Sequence, residues 1–341
     1  MSGSPSARDS ASSLLSPLAR PLTPYRAAQA PYFVGRSRIF QETVRQLKRY
    51  ARYDNALVLL EGESGTGKSF FARHLHDYSP RASKPFETVV LPTLDDNLAP
   101  SELFGHVRGA YTDARQHRPG RFVSASGGTL FLDEIGKASL RLQAKLLHAV
   151  EYREIWPVGS DRSVRVDVRL IAATNLSLDG LAASGDFVPD LVPRLSAFRI
   201  RLPALRERAE EIPDLVAHFI SLRAPLYGYN NEPPAVDSGL IELLTQAEWP
   251  NNLRQLDATI QRLLVDAEGA PVLTAAHLGE MCLTVVPSDG SNARLTPERV
   301  QQVVDAAGSV TRAARALGVS RQTVHRYLSR GRVMGDPTIL E

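Results

Sequence analysis

A glycine-rich segment at residues 62–69 carries residue types that bind phosphate groups. It reads GESGTGKS, follows the apolar run Ala56–Leu60 and precedes an amphipathic helical pattern. Glycines allow backbone N–H groups to surround phosphate oxygens, and a helix N-terminus adds positive potential. We expect Lys68 to neutralise the β- and γ-phosphates and the Ser69 hydroxyl to hold Mg²⁺. The predicted phosphate-binding residues are Gly62, Glu63, Ser64, Gly65, Thr66, Gly67, Lys68 and Ser69.

Two acidic residues, Asp133 and Glu134, follow the apolar run Thr129–Leu132. Open α/β sheets bind ligands at the carboxyl ends of their strands. Asp133 is therefore predicted to bind Mg²⁺, directly or through water, and Glu134 to orient and deprotonate an attacking water. An acidic pair after a strand is usually a helix N-cap. The phosphate-binding segment upstream favours the catalytic interpretation.

The strands and helices that must position these residues can be predicted from the hydrophobic pattern of the chain. Strand-like apolar runs alternate with helical patterns between residues 31 and 205, which predicts an α/β fold. From residue 206 to 284 the pattern is helical. The predicted strands are Ala56–Leu60, Phe86–Val90, Thr129–Leu132 and Val168–Ala172, and the predicted helices of the second part are Ile212–Ile220, Ser238–Gln246 and Leu253–Asp266.

Composition limits the class of protein. The chain is 43% hydrophobic and 23% charged, and a single cysteine excludes an internal disulfide framework. No apolar run approaches the roughly 18 residues that a membrane helix needs. These features predict a cytoplasmic protein with no membrane partner. Residues 1–30, rich in Ser, Pro, Ala and Arg, predict a disordered tail, and residues 285–295 predict a linker.

The C-terminal segment 296–341 is basic and helical in pattern. Between Thr296 and Arg332, seven arginines stand against two acidic residues. Gly318 permits a tight turn between two helices. The pattern predicts a DNA-binding helix-turn-helix, and a plain helical hairpin with a solvated basic face is the alternative. The residues predicted to contact DNA are Ser320, Arg321, Gln322, Thr323, His325 and Arg326.

In their order and spacing, these motifs resemble the AAA+ ATPases of the bacterial enhancer-binding family, which activate sigma-54 RNA polymerase. The resemblance runs from about Phe33 to Tyr327 and implies a P-loop three-layer αβα core at 31–205, a helical lid at 206–284 and a Fis-type helix-turn-helix at 296–341. Its specific segments are FVGRS, GESGTGKS, SELFGHVRGAYTDA, GGTLFLDEIG, LQAKLLHAVE, VDVRLIAATN, RLPALRER and WPNNLRQL.

The resemblance also implies roles for individual residues. Thr174 and Asn175 would sense the γ-phosphate of ATP, and Arg254 would close the lid onto the nucleotide. Arg194 would be an arginine finger that enters a neighbouring subunit's site, which implies a ring hexamer, with a dimer as a possible ground state. The loop that contacts sigma-54 would comprise Gly109, Ala110, Tyr111, Thr112, Asp113 and Ala114.

Several positions depart from the family's pattern. The family's GAFTGA loop is GAYTDA here, so Tyr111 and Asp113 replace phenylalanine and glycine. Val90 stands where the family has an asparagine that restrains the catalytic glutamate. Val188 stands where the family often has a second arginine finger.

The resemblance predicts a transcriptional regulator that binds enhancer DNA. It would use ATP hydrolysis in a hexameric ring to remodel the sigma-54 RNA polymerase holoenzyme. The alternative is a DNA-binding AAA+ regulator of the same fold that no longer engages sigma-54. A replication-initiator-like AAA+ protein is disfavoured by the GAYTDA insertion.

Overall fold

A computed structural model describes residues 35–111, 114–229 and 232–279. It also describes six helical positions of the C-terminal segment: Val300, Gln301, Val304, Val310, Val324 and Leu328. The predicted tail at 1–30, the linker at 285–295, and Thr112 and Asp113 lie outside the described residues. The six predicted DNA-contacting residues, at 320–323, 325 and 326, also lie outside them.

The strands are short and numerous. Those of the first part are β1 Val58–Glu61, β2 Phe86–Val90, β3 Gly105–His106, β4 Arg118–Pro119, β5 Thr129–Asp133, β6 Glu154–Ile155, β7 Val164–Arg165, β8 Arg169–Thr174 and β9 Phe198–Arg201. The lid contains β10 Ala235–Val236 and β11 Val272–Leu273. Two antiparallel hairpins, β3–β4 and β6–β7, and the parallel pair β10–β11 were not predicted from the sequence.

The helices lie between the strands of the first part and dominate the lid. They are α1 Arg38–Ala51, α2 Lys68–Asp77, α3 Ala99–Phe104, α4 Arg121–Ser124, α5 Leu140–Tyr152, α6 Leu178–Ser184, α7 Leu191–Leu195, α8 Ile212–Arg223, α9 Ser238–Gln246 and α10 Asn252–Asp266. Short 3₁₀ turns occupy Leu91–Thr93, Ile135–Lys137, Leu205–Glu211, Ala224–Tyr227 and Ala275–Leu278. No helix of the described residues is long and apolar enough to cross a membrane.

A five-stranded parallel sheet organises the first part, in the order β2-β5-β8-β1-β9. The register pairs Glu61 with Thr174 and Val90 with Asp133 at the carboxyl ends of the strands. Because all five strands are parallel, the segments that follow β1, β5 and β8 leave the sheet at one edge. This edge receives the phosphate-binding segment and both acidic residues.

Both faces of the sheet are covered. Along β1, Val58 and Leu60 pack in one cluster with α1 and α2, whereas Leu59 packs in another with α3 and α5. Successive strand residues point to opposite faces, so an apolar run buries side chains in two layers of helices. The predicted α/β fold with a parallel sheet is therefore present.

The lid has its own hydrophobic core around Trp249, whose indole N–H donates to the backbone oxygen of Leu244 at 2.8 Å. Helices α8 and α10 pack against each other, and the predicted helices of this part are present with bounds shifted by at most a few residues. In the C-terminal segment, Val300 and Val324 are buried together in a small separate cluster.

Candidate nucleotide-binding and catalytic site

The phosphate-binding segment is a tight loop between β1 and α2, whose conformation requires glycine. Gly65 and Gly67 have φ angles of 79° and 101°, in the region that L side chains rarely adopt. A Cβ at Gly65 would lie 2.0 Å from the backbone oxygen of Asn251. The loop therefore closes against the lid where a side chain would clash, and α2 begins at Lys68 immediately after it.

Lys68 is held over this loop. Its ammonium group donates to the backbone oxygens of Gly62 at 2.9 Å and Glu63 at 3.1 Å. Burial lowers the pKa of Lys68, while the nearby carboxylates of Glu134 and Asp133 act in the opposite direction. The site thus concentrates a cation where anionic phosphate groups are predicted to bind.

Asp133 and Ser69, the two residues predicted to hold Mg²⁺, lie side by side. The Ser69 hydroxyl donates to Oδ2 of Asp133 at 3.3 Å, and the backbone N–H of Glu134 donates to Oδ1 at 3.0 Å. Burial raises the pKa of Asp133, and the charge of Glu134 raises it further. A divalent cation here would favour the ionised carboxylate.

The ligand set fits magnesium better than a metal held by protein alone. Within the described residues, no group of three or more His, Cys, Asp and Glu side chains is arranged to hold a metal ion. Mg²⁺ commonly takes one or two protein oxygens and completes its shell with waters and phosphate oxygens. Ser69 and Asp133 supply that number of side-chain oxygens.

Glu134 directly follows β5 in a left-handed conformation, with φ 60° and ψ 44°. One carboxylate oxygen, Oε2, is buried and accepts no hydrogen bond. The ammonium group of Lys137 lies 3.5 Å from it. The base candidate is therefore placed beside the metal-binding candidate Asp133, in a backbone conformation that few residues other than glycine adopt.

The structure separates the two predicted sensor residues at the end of β8. Thr174 is fully buried; its hydroxyl accepts a hydrogen bond from the Leu176 N–H at 3.0 Å, and its backbone oxygen accepts one from the Gly62 N–H at 3.2 Å. Asn175 has an exposed side chain. Thr174 therefore joins the sheet to the phosphate loop, and Asn175 is the better placed of the two to contact a ligand.

The predicted lid cation does reach the phosphate loop. The guanidinium of Arg254 donates to the Ser64 hydroxyl at 3.1 Å, and the neighbouring Leu253 N–H donates to the Gly65 oxygen at 3.0 Å. The first turn of α10 thus contacts the loop directly. The lid and the phosphate loop form one site in this chain.

Sequence reasoning missed two residues of this junction, Asn252 and Arg206. Asn252 is fully buried; its amide donates to Glu63 at 3.2 Å and to the Ser64 backbone oxygen at 3.0 Å. Arg206 forms a two-pronged ion pair with Glu63, and this pairing lowers the pKa of Glu63 to about 2. The Asn-Asn pair at the start of α10 was the available signal, because asparagine tolerates a positive φ such as the 50° of Asn252.

Arg194 lies on α7 and contacts none of the residues above in the hydrogen bonds and ion pairs described. Its guanidinium pairs with Glu151 of α5 at 3.0 Å, and more than half of its side chain is exposed. Val188, at the position of a second finger, donates its backbone N–H to the Gln143 side chain. An exposed arginine away from its own chain's phosphate loop is compatible with action on a neighbouring subunit.

Gly109–Ala114 stands between β3 and β4 in the chain. Gly109 has a φ of 83°, and its N–H donates to the Ala114 oxygen at 2.8 Å. Tyr111 is 40% exposed, and its ring meets that of His106 edge-on at 5.2 Å. Just before the loop, the Val107 N–H donates to the backbone oxygen of Val158, in the connection between β6 and β7. The described part of the loop therefore presents an aromatic residue at its surface.

Comparison with known proteins decides the family. Residues 33–201 match the Sigma-54 interaction domain, and residues 206–294 match the AAA+ ATPase lid domain. The transcriptional regulatory protein ZraR of Escherichia coli K12 is 39% identical over 326 residues, in an alignment that covers 90% of this chain and 70% of ZraR. The chain belongs to the sigma-54-dependent regulators.

Further relatives of this regulator agree with the assignment. The DNA-binding transcriptional regulator NtrC of Klebsiella pneumoniae is 41% identical over 256 residues, covering 75% of this chain and 54% of NtrC. The crystal structure of NtrX from Brucella abortus in complex with ADP superposes with a TM-score of 0.67 at 30% identity, over 88% of this chain and 68% of NtrX. The sigma-54-dependent regulator thus has an AAA+ P-loop fold with a lid.

Proposed function

We propose that this sigma-54-dependent regulator hydrolyses ATP with Mg²⁺ and uses the reaction to remodel the sigma-54 RNA polymerase holoenzyme. The observation that carries this proposal is the convergence of Lys68, Ser69, Asp133 and Glu134 at one edge of the parallel sheet. The convergence brings together a cation, two metal-binding oxygens and a base, which are the parts that phosphoryl transfer from ATP to water requires.

Each residue would perform a separate task. Lys68 and the backbone N–H groups of the loop would bind the β- and γ-phosphates. Ser69 and Asp133 would hold Mg²⁺, which would neutralise charge that develops on the phosphate oxygens. Glu134 would accept a proton from the attacking water. Asn175 and Arg254 would contact the γ-phosphate from β8 and from the lid.

Arg194 supports assembly as a ring. Its exposed position on α7 allows a neighbouring copy of the chain to receive it, once its ion pair with Glu151 opens. Exposed ion pairs contribute little to stability, typically below about 1 kcal/mol, so the pair does not prevent this. The active form would be a homo-hexamer, with a dimer as a possible ground state.

The segment 296–341 would bind enhancer DNA as a Fis-type helix-turn-helix. Its excess of arginines over acidic residues favours phosphate contacts. The helical positions Val300, Val310 and Val324, which pack in one apolar cluster, support a small helical module. The basic side chains between 320 and 326 would then contact the major groove.

The chemistry is tested with Lys68→Ala and Glu134→Gln. Lys68→Ala should abolish nucleotide binding, whereas Glu134→Gln should bind ATP and lose turnover by about 10² or more, the usual contribution of a positioned base. Lys84→Ala and Glu242→Gln, which change exposed side chains outside the site, are the matched controls. Near-normal turnover of Glu134→Gln would remove Glu134 from the role of base.

The alternative function is a DNA-binding AAA+ regulator that no longer engages sigma-54. The observation that favours it is Asp113, which places a charge and a Cβ where the family has glycine. Capture of a complex with the organism's own sigma-54 by an ATP transition-state analogue separates the two functions. A protein that hydrolyses ATP and never forms this complex would support the alternative.

A further inference from the structure

The carboxylate of Glu134 lacks the hydrogen-bond donor that a buried base ordinarily has. Its Oε2 atom is buried without a hydrogen bond, and the side chain is only 19% exposed. A carboxylate oxygen removed from water without a partner is unfavourable. It also leaves the orientation of the carboxylate unfixed, although a base must lie within hydrogen-bond reach of the water that it deprotonates. Some other group must therefore hold it.

Lys137 is placed to hold this carboxylate. Its ammonium group lies 3.5 Å from Oε2 of Glu134. Glu134 precedes the 3₁₀ turn Ile135–Lys137, and Lys137 is its last residue. A hydrogen bond from the Lys137 N–H to the Glu134 backbone oxygen, at 2.9 Å, closes the turn. The ion pair therefore spans this turn from one end to the other. The left-handed conformation of Glu134 begins this turn.

Neighbouring groups are less well placed to hold this carboxylate. Val90, in register with Asp133 on the adjacent strand, has no side-chain donor. The Lys68 ammonium is engaged by the backbone oxygens of Gly62 and Glu63. Among the ion pairs found in the described part of the chain, Lys137 is the only partner of Glu134.

We propose that Lys137 is the positioning residue of Glu134, and that its ion pair fixes the orientation of the base. Lys137 acts through Glu134 and is not a catalytic residue itself. The inference rests on the proposed ATP hydrolysis and names a further residue of the same site.

The first test compares three variants of the full-length protein. Lys137→Met removes the charge and keeps the length of the side chain, Lys137→Arg keeps the charge, and Lys84→Met is the control at an exposed lysine. We expect Lys137→Met to lower kcat about tenfold. A positioned general base accelerates a reaction by roughly 10²–10⁴, and a base that is present but less well oriented should lose only part of that factor. The Kd for a fluorescent ATP analogue should stay within twofold, and Lys137→Arg should recover most of the turnover.

A double-mutant cycle then shows whether Lys137 acts through Glu134. In a Glu134→Gln background, measured under single-turnover conditions, Lys137→Met should cause no further loss, because the group that it positions is already neutral. An equal loss in both backgrounds would overturn the proposal. Thermal unfolding checks folding, and Lys137→Gln, which retains a neutral donor, replaces Lys137→Met if that variant unfolds.

The outcomes separate this inference from the proposed function. Wild-type protein without ATP turnover overturns both. If wild type hydrolyses ATP and Lys137→Met has the same kcat as wild type, only the role of Lys137 is overturned. A loss of kcat in Lys137→Met that Lys137→Arg restores, and that disappears in the Glu134→Gln background, supports it.

Discussion

The side-chain amide of Asn252 in the lid donates a hydrogen bond to the carboxylate of Glu63 in the phosphate loop, at 3.2 Å. The same side chain accepts a hydrogen bond from the backbone N–H of Leu205 at 2.7 Å, at the entrance to the lid. One buried residue therefore joins the phosphate loop, the segment that leads into the lid and the first turn of α10. A shift of the loop on nucleotide binding would be transmitted to the lid through it.

Loss of this junction should destabilise the protein and weaken nucleotide binding. We expect Asn252→Gly, which removes the side chain without straining the positive φ, to lower the free energy of unfolding by about 1.5–3 kcal/mol, the range for buried hydrogen bonds to charged groups. Asn251→Gly, one residue earlier and exposed, is the control. Urea unfolding and ATP titration check both effects, and equal stability of the two variants would contradict the role assigned to Asn252.

The ion pair between Glu63 and Arg206 should make stability depend on pH. Hydrogen bonds from Arg206 lower the pKa of Glu63 from 4.5 to about 2. Because the pKa is lowered in the folded state, the stabilisation is present above pH 4.5 and is lost as the pH falls toward 2. Wild type should therefore have a larger free energy of unfolding than Glu63→Gln at pH 7. The difference should shrink as the pH falls from 4.5 toward 2. Urea midpoints at several pH values measure it, and a difference independent of pH would contradict the assignment.

Arg194→Ala should reduce ATP turnover by about 10³ or more and leave ATP affinity intact, because an arginine finger stabilises charge in the transition state. Arg141→Ala, an exposed arginine on α5, is the control. Mixing Arg194→Ala subunits with Lys68→Ala subunits tests action in trans. The Arg194→Ala subunit supplies an intact nucleotide site, and the Lys68→Ala subunit supplies an intact Arg194. Failure of the mixture to regain activity would argue against a shared site.

Tyr111→Ala should abolish open-complex formation at a sigma-54 promoter and leave ATP turnover unchanged. The ring is 40% exposed, and among the ring contacts described it meets only that of His106, edge-on. Tyr53→Ala, also exposed, is the control. Asp113→Gly should raise activation or leave it unchanged. Normal open-complex formation by Tyr111→Ala would exclude the ring from the coupling to polymerase.

Arg321→Ala and Arg326→Ala should weaken DNA binding, and the affinity of wild type should fall steeply with salt because phosphate contacts release counterions. Arg52→Ala, an exposed arginine of the AAA+ part, should leave it unchanged. Electrophoretic mobility shifts over a range of salt concentrations measure this. Tight promoter binding by a chain truncated after Ser291 would place the DNA-binding surface elsewhere.

The sequence by itself determined the features whose physical requirements are local. Three such features are the glycines and Lys68 of the phosphate loop, the acidic pair after β5 and the run Phe86–Val90. Within each feature the residues lie within a few positions of one another, so local spacing is enough to predict it. Strand ends were less certain, because Val168–Ala172 was predicted and the strand is Arg169–Thr174. Its two further residues bring Thr174 into the sheet and leave Asn175 at the edge.

The tertiary structure alone decided which distant residues meet. Asn252 and Glu63 are separated by 189 positions, and Arg194 and Glu151 by 43. No local periodicity encodes such pairs, since they depend on strand order and on how the lid packs. Lys137 is close to Glu134 in sequence, but only the left-handed backbone and the burial of Oε2 show that the lysine faces an otherwise unpartnered oxygen. Burial and backbone direction are decided only when the whole chain packs. For this reason the role proposed for Lys137 could be inferred from the tertiary structure and not from the sequence.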